Sequence, residues 1–199
     1  MQAVERLVAS EAAALTDART RAAGHEPPSP AECAVIAWAA VTSGARAVVE
    51  VGSCGGVTTV WLASVLAPRG MVTSLEADPE IHALASESVE LAGLSDRVRS
   101  ISGEAAEVLP RLADGGYDLV LLQSASNRLV GLVDHAERLL RPGGVLVVRP
   151  RGDVTAALAV TERLMDSGAF AATAAVGDDG LTLVATRRVA APDVTPEDD

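Results

Sequence analysis

From residue 46 to residue 149 the chain alternates short apolar runs with amphipathic stretches, and this alternation constrains the fold more than any other feature. The runs 46–51, 71–76, 97–102, 118–123 and 144–149 read as strands, with helices over 57–67, 79–92, 104–113 and 128–140 between them. The strands are apolar almost throughout, as strands buried on both faces are. Short strand–helix connections then require a parallel sheet wound by right-handed crossovers, an α/β architecture. Beyond 149 the order changes: a helix over 154–167 precedes runs at 169–176 and 180–187, joined by Gly177-Asp178-Asp179-Gly180. A hairpin closing the sheet with an antiparallel edge strand fits this spacing, giving seven strands, most of them parallel.

Ahead of the sheet, Val4, Leu7, Val8 and Leu15 follow a helical period within residues 1–22. The segment from Gly24 to Pro30 breaks that helix. Ser29 caps a second one, with Pro30 at its first position and Glu32 three residues after the cap, ending near Ser43-Gly44. The chain thus divides into N-terminal helices over 1–45, a sheet domain over 46–189 and an acidic, proline-bearing tail over 190–199. The alanine-rich faces of the N-terminal helices exceed what one sheet edge covers, so they are expected on the substrate side and in a homodimer interface.

Composition narrows the function classes. With 199 residues and 49% hydrophobic content, the chain can build one full core. Its net charge of −11 argues against a nucleic-acid or anionic-membrane role. All 16 basic residues are arginine, which removes a Walker lysine, a Schiff-base lysine and a lysine general base together. Cys33 and Cys54 lack metal-ligand spacing, and His25, His82 and His135 are scattered, so neither a disulfide framework nor a zinc site is expected. Glu5 and Glu11 stand where a signal peptide would be basic and then apolar, and no run is long enough to span a membrane. A cytoplasmic protein is expected.

In an open parallel sheet, ligands bind at the carboxyl ends of the strands. The first strand ends in Glu50-Val51-Gly52-Ser53-Cys54-Gly55-Gly56-Val57-Thr58. A glycine-rich turn lets backbone approach a ligand, and the following helix start offers free N–H groups. Cys54 occupies the second glycine position of a dinucleotide fingerprint, and Glu50 two residues before Gly52 would repel a pyrophosphate while suiting a positive charge. The second strand ends in Ser74-Leu75-Glu76-Ala77-Asp78-Pro79. Asp78 before Pro79 looks like a helix cap, which leaves Glu76, with Ala77 beside it, for a ribose diol. The third strand ends in Ser102-Gly103-Glu104-Ala105, where Gly103 admits a flat ring and Glu104 either accepts from an exocyclic amine or opens a helix. Together these ends describe a pocket for a nucleoside with a cationic, amino-acid-like tail, such as S-adenosylmethionine.

On these residues the sequence resembles the class I S-adenosylmethionine-dependent methyltransferases, and within them the catechol and caffeoyl-CoA O-methyltransferase family in its actinobacterial form. The resemblance runs from about Ser29 to Arg187. It includes Ser29-Pro30-Ala31-Glu32, the Glu50–Thr58 loop, Leu75-Glu76-Ala77-Asp78-Pro79 and Glu107-Val108-Leu109-Pro110. It continues through Tyr117-Asp118-Leu119-Val120, Leu139-Leu140-Arg141-Pro142-Gly143-Gly144 and Gly180-Leu181-Thr182. It implies a Rossmann-like methyltransferase fold, S-adenosylmethionine as cofactor and S-adenosylhomocysteine as product. Carried over by position, Glu50, Gly52 and Ser53 would line the methionine portion, Thr58 would bond its carboxylate and Glu76 the ribose, with Gly56 also a cofactor-binding residue. Gly103, Glu104 and Ala105 would meet adenine, with Gln123 also against the cofactor.

The reacting end departs from the family. Its Asp-Ala-Asp-Lys after the fourth strand reads Gln123-Ser124-Ala125-Ser126 here, and its Asp-Asn after the fifth reads Arg149-Pro150. A divalent cation collects several oxygens, preferably carboxylates, so no metal is expected. Three readings stay open: metal-free O-methyl transfer to a small molecule, a catalytically silent cofactor-binding partner or regulatory subunit, and an enzyme in which Arg149 and Arg151 anchor an anionic acceptor. His25, Gln123 and Arg149 are the residues that could act on the acceptor, while His82 and His135 are expected on the surface. Aromatic content is only 2%, and Trp38 is expected to pack against the sheet.

Overall fold

In the computed structural model, residues 11–151, 154–176 and 182–189 are described. Helix α1 (Glu11–Ala22) and helix α2 (Pro30–Thr42) precede strand β1 (Ala47–Val51). A short 3-10 turn, Cys54–Gly56, leads into α3 (Val57–Val65), followed by β2 (Met71–Glu76), α4 (Pro79–Leu91) and β3 (Val98–Ser102). Then come α5 (Ala105–Val108), β4 (Tyr117–Ala125), α6 (Ser126–Leu139), β5 (Leu140–Arg151), α7 (Val154–Asp166), β6 (Phe170–Val176) and β7 (Thr182–Arg187).

The seven strands form one sheet in the order β3-β2-β1-β4-β5-β7-β6. The first five pair in parallel, while β7 runs antiparallel between β5 and β6. The chain therefore crosses by α7 to the outer edge before returning to fill the gap beside β5. The expected hairpin connection at 177–180 and the first ten residues of the expected opening helix lie outside the described residues, as does the 190–199 tail.

Alternate residues of the buried strands serve two cores. Val49, Val51, Leu122 and Val148 pack with Leu129 and Val133 of α6 and with Leu164 of α7. On the other face, Val48, Leu121 and Val147 meet Ile36 of α2 and Leu62 of α3. Two-sided burial is why these strands read as continuous apolar runs. The helix expected over 104–113 is a single turn, α5, running into a 3-10 turn at Leu109–Arg111, because Pro110 cannot extend an α-helical ladder. At the start of α2 the capping box forms as read: Ser29 N–H donates to Glu32 Oε2 at 2.7 Å, and Glu32 N–H to Ser29 Oγ at 3.3 Å. Trp38 departs from expectation. It is 63% exposed on the outer side of α2, because Ile36, Ala37, Ala39 and Ala40 supply the face that packs inward.

Candidate functional site

The carboxyl ends of β1 to β4 surround a cavity of about 530 Å³, a size that suits a small-molecule ligand. Gly52 after β1, Glu76 and Ala77 at β2, Gly103, Glu104 and Ala105 after β3, and Gln123 in β4 all line it. Gly52 adopts φ +85°, and a Cβ there would lie 2.1 Å from the Gln123 carbonyl oxygen, so only glycine lets β1 and β4 close together at the cavity floor.

Glu76 is the acid that the fold holds at the cavity wall. Its Oε2 accepts from the Ser53 N–H at 2.9 Å and from the Ser53 hydroxyl at 3.0 Å. Its Oε1 accepts only a long bond, 3.3 Å, from the Asp78 N–H. Asp78 caps α4 as expected, with Oδ1 accepting from Glu80 N–H at 2.8 Å and Ile81 N–H at 3.3 Å. The two carboxylates thus divide the work, one closing a helix and one facing the cavity.

The other loop residues carried over by position, Glu50, Ser53, Gly56 and Thr58, are not among those that line this cavity. Glu50 is fully buried and accepts from the hydroxyls of Thr58, Thr59 and, at 2.6 Å, Ser74. Burial pushes its carboxyl pKa up against the three hydroxyl donors, and the Glu76 charge adds to the rise. Thr58 is also fully buried, donating to Glu50 and accepting from Gln123 Nε2 at 2.8 Å. Ser53 is 1% exposed and orients Glu76. A Cβ on Gly56 would meet the backbone of Ala85 at 3.1 Å, so this glycine lets the turn pack on α4 rather than on a ligand. The glycine-rich loop is largely an internal joint, with Gly52 alone of its expected contacts at the cavity.

The positions that the resemblance relates to a metal site do not fit one. Gln123 is 2% exposed, and its Nε2 donates to the Gly52 carbonyl at 2.9 Å and to Thr58. Arg149 sits in register beside Gln123, and its Nε donates to Glu32 Oε1 at 2.7 Å, the two side chains being 14% and 12% exposed. Burial raises the Glu32 pKa, but the Arg149 guanidinium and Ser29 together hold it below the usual carboxylate range. Pro150 has no side-chain donor. Among the described residues no group of three or more His, Cys, Asp or Glu could hold a metal ion.

Arg149, the expected anion anchor of one reading, is paired with Glu32. The Arg151 side chain lies outside the described residues. His25 is half-buried in the turn after α1 and is not among the residues that line this cavity. His82 Nε2 lies 2.9 Å from Ser100 Oγ at the outer edge of the sheet. His135 is the opposite surprise: it lines the cavity together with Arg128, Gly131 and Leu132 of α6. The strand-end motifs gave α6 no role. A glycine in mid-helix, flanked at i−3 and i+4 by polar residues on one face, was the available signal.

A family model described as a methyltransferase domain matches residues 49–148. A protein from Mycolicibacterium vanbaalenii that carries an O-methyltransferase name is 44% identical over 142 residues, covering 70% of this chain and 63% of that protein. This chain therefore spans less than two thirds of that relative. A protein from Mycobacteroides abscessus with the same kind of name is 36% identical over 186 residues, covering 85% of this chain and 86% of its own. Among solved structures, cofactor-bound Rv0187 from MTB is 30% identical with a TM-score of 0.78, covering 90% of this chain and 91% of that one. An O-methyltransferase from Bacillus cereus in complex with SAH matches with a TM-score of 0.80 over 94% of this chain and 97% of its own, but at 22% identity, a likeness of fold alone.

Proposed function

This chain belongs to the methyltransferase-domain family, and from that premise we propose that it transfers a methyl group from S-adenosylmethionine to an oxygen of a small molecule, leaving S-adenosylhomocysteine. The observation that carries the reading is Glu76, pinned through one oxygen by Ser53 and facing the cavity beside the other strand ends. A carboxylate held this way is prepared to accept from both hydroxyls of a ribose, with little reorganisation on binding. Gly103 and Ala105, with no bulky side chain, give the neighbouring wall room for a base.

When bound, the cofactor supplies a methyl group activated by its sulfonium sulfur. The chain's contribution is placement. The Gln123 amide, bridging Gly52 and Thr58, locks the end of β4 to the β1 loop and sets the floor of the site. With Glu104 paired to Arg128, Glu76 and Asp78 leave the rim net acidic, which favours a cationic ligand over an anionic one. Alignment of donor and acceptor can supply much of the acceleration for such a transfer. The donor set at Gln123, Arg149 and Pro150 supports transfer without a divalent metal. For assembly the reading is a homodimer, supported by the exposure of Trp38 and Val41 on α2, and light scattering at tens of micromolar tests it.

Calorimetry with S-adenosylhomocysteine tests the cofactor reading. Binding is expected, and Glu76→Ala should weaken it by about 1–3 kcal/mol as the ribose loses a charged partner. No binding to the unaltered chain, or a preference for NAD, would sink the assignment.

A further inference from the structure

Three successive residues of the turn after β1 hold left-handed backbone: Cys54 at φ +48°, Gly55 at +67° and Gly56 at +93°. Two are glycines, for which this costs little, but Cys54 carries a Cβ and is strained there. A strained residue keeps its conformation only where the surrounding structure over-determines it. On the sheet side, Cys54 Sγ donates to Gln123 Oε1 at 3.9 Å. On another, Gly56 rests against Ala85 of α4. Helix α1 closes a third side.

Thr20, in the last turn of α1, is fully buried. A Cβ on Gly55 would lie 2.5 Å from Thr20 Oγ1 and 3.0 Å from its Cγ2, so the threonine fills the space where a side chain would stand. Among the described residues the Thr20 hydroxyl has no hydrogen-bond partner, so what it supplies to the turn is shape. The way α1 ends fixes its place. Gly24, at φ +82°, donates its N–H to Arg21 O at 2.9 Å, and His25 N–H donates to Thr20 O at 3.1 Å, the paired bonds of a Schellman stop. Arg19 Nη2 meets Glu87 Oε2 at 2.6 Å, tying the same helical turn to α4, against which Gly56 rests.

We propose that Thr20 is a positioning residue for cofactor binding, acting through this turn on Glu76. Ser53, immediately before Cys54, gives both its N–H and its hydroxyl to Glu76 Oε2. A turn that relaxes at Cys54 carries Ser53 with it and frees the carboxylate from the geometry that suits a ribose. No residue of α1 is among those that line the cavity, so the effect runs through the protein. The inference rests on the cofactor reading above and adds a residue outside the strand-end motifs. Coupling of this kind is reciprocal: if a docked α1 strengthens binding, bound ligand holds α1 down by the same factor.

Calorimetry with S-adenosylhomocysteine on the full chain tests this through a cycle of substitutions. Thr20→Ala removes the two atoms that sit over Gly55 while giving α1 a better helix former. It should weaken binding about fivefold, the lower end of coupling between separate sites. Thr20→Val keeps the shape and should stay within about twofold of the parent. In a Glu76→Ala chain, adding Thr20→Ala should weaken binding by less than about twofold more, because the carboxylate that the turn holds is gone. A merely structural loss would weaken both backgrounds alike. Reciprocity gives a second readout. Saturating ligand should slow hydrogen exchange at the Gly24 and His25 amides about threefold or more in the parent, and at equal saturation leave them unchanged in the Glu76→Ala chain. That measurement decides the matter even where Thr20→Ala does not fold. Parent-like binding by Thr20→Ala, an equal loss for Thr20→Val, an undiminished loss in the Glu76→Ala background, or exchange unmoved by ligand would overturn the proposal. If the parent chain binds no S-adenosylhomocysteine, the cofactor reading falls first and takes this inference with it.

Discussion

Glu50 shows how a site-like residue can be a structural one. Its place two residues before Gly52 suggests a ligand contact, yet the side chain points into the layer between the sheet and α3, among Thr58, Thr59 and Ser74. Which way a strand residue points relative to a helix not yet placed is not legible in the sequence. Period-two alternation gives two faces but does not say which one the ligand approaches. Burial raises this carboxyl's pKa, so the folded chain holds the proton more tightly than the unfolded chain does. Stability from this source is complete below the unfolded value and declines as pH rises through the raised one. Glu50→Gln should therefore flatten the decline, and between pH 5 and 8 its stability relative to the parent should improve with pH. Denaturant titrations at the two pH values measure this, and a relative stability that worsens with pH would contradict it. Glu50→Ala is different, because it leaves three buried hydroxyls around a hole, and it should cost about 2–4 kcal/mol.

Between elements, a long-range contact pairs Arg149 with Glu32. It joins the end of β5 to the first turn of α2, and the capping box holds the acid from its other side. The capping box was legible because it is local, four residues with a fixed geometry. Its partner was not, since 117 residues separate Glu32 from Arg149 and only the packing of α2 on the sheet brings them together. The same division runs through the fold. Strands and helices followed from periodicity, but the position of β7 inside the sheet depends on where α7 delivers β6, which no local pattern encodes. A double-mutant cycle with Glu32→Gln and Arg149→Met should give a coupling of about 1–3 kcal/mol near neutral pH. Since Glu32 titrates below the usual range when folded, the contribution is present above the ordinary carboxylate pKa and is lost as acid brings the pH through the lowered one. Arg149→Met should leave S-adenosylhomocysteine affinity within twofold, because the guanidinium does not line the cavity. A tenfold loss would return Arg149 to the binding site.

At the scale of the whole molecule, the question is whether chemistry at the sheet's edge needs a cation. A divalent ion at this place would lower an acceptor hydroxyl's pKa and hold it near the methyl group. Magnesium normally gathers six oxygens in near-ideal geometry. At the three positions in question the chain offers a glutamine amide, a guanidinium and a proline, and the first two are already bonded within the protein. Gln123 could offer a cation only its Oε1, a neutral oxygen that is buried and accepts from Cys54 Sγ at 3.9 Å, while its Nε2 holds the amide in place on Gly52 and Thr58. The positive charge of Arg149, one strand over, adds repulsion that Glu32 only partly offsets. Two measurements follow. S-adenosylhomocysteine at about a hundred times its Kd should stabilise the chain by about 2.7 kcal/mol through binding the folded state alone. Millimolar magnesium should add nothing to that, and EDTA should remove nothing, whether the readout is Tm, calorimetric affinity or methyl transfer. A magnesium-dependent rise in ligand affinity that Gln123→Ala abolishes would show that the amide oxygen does take a cation, and the metal-free reading would then be wrong.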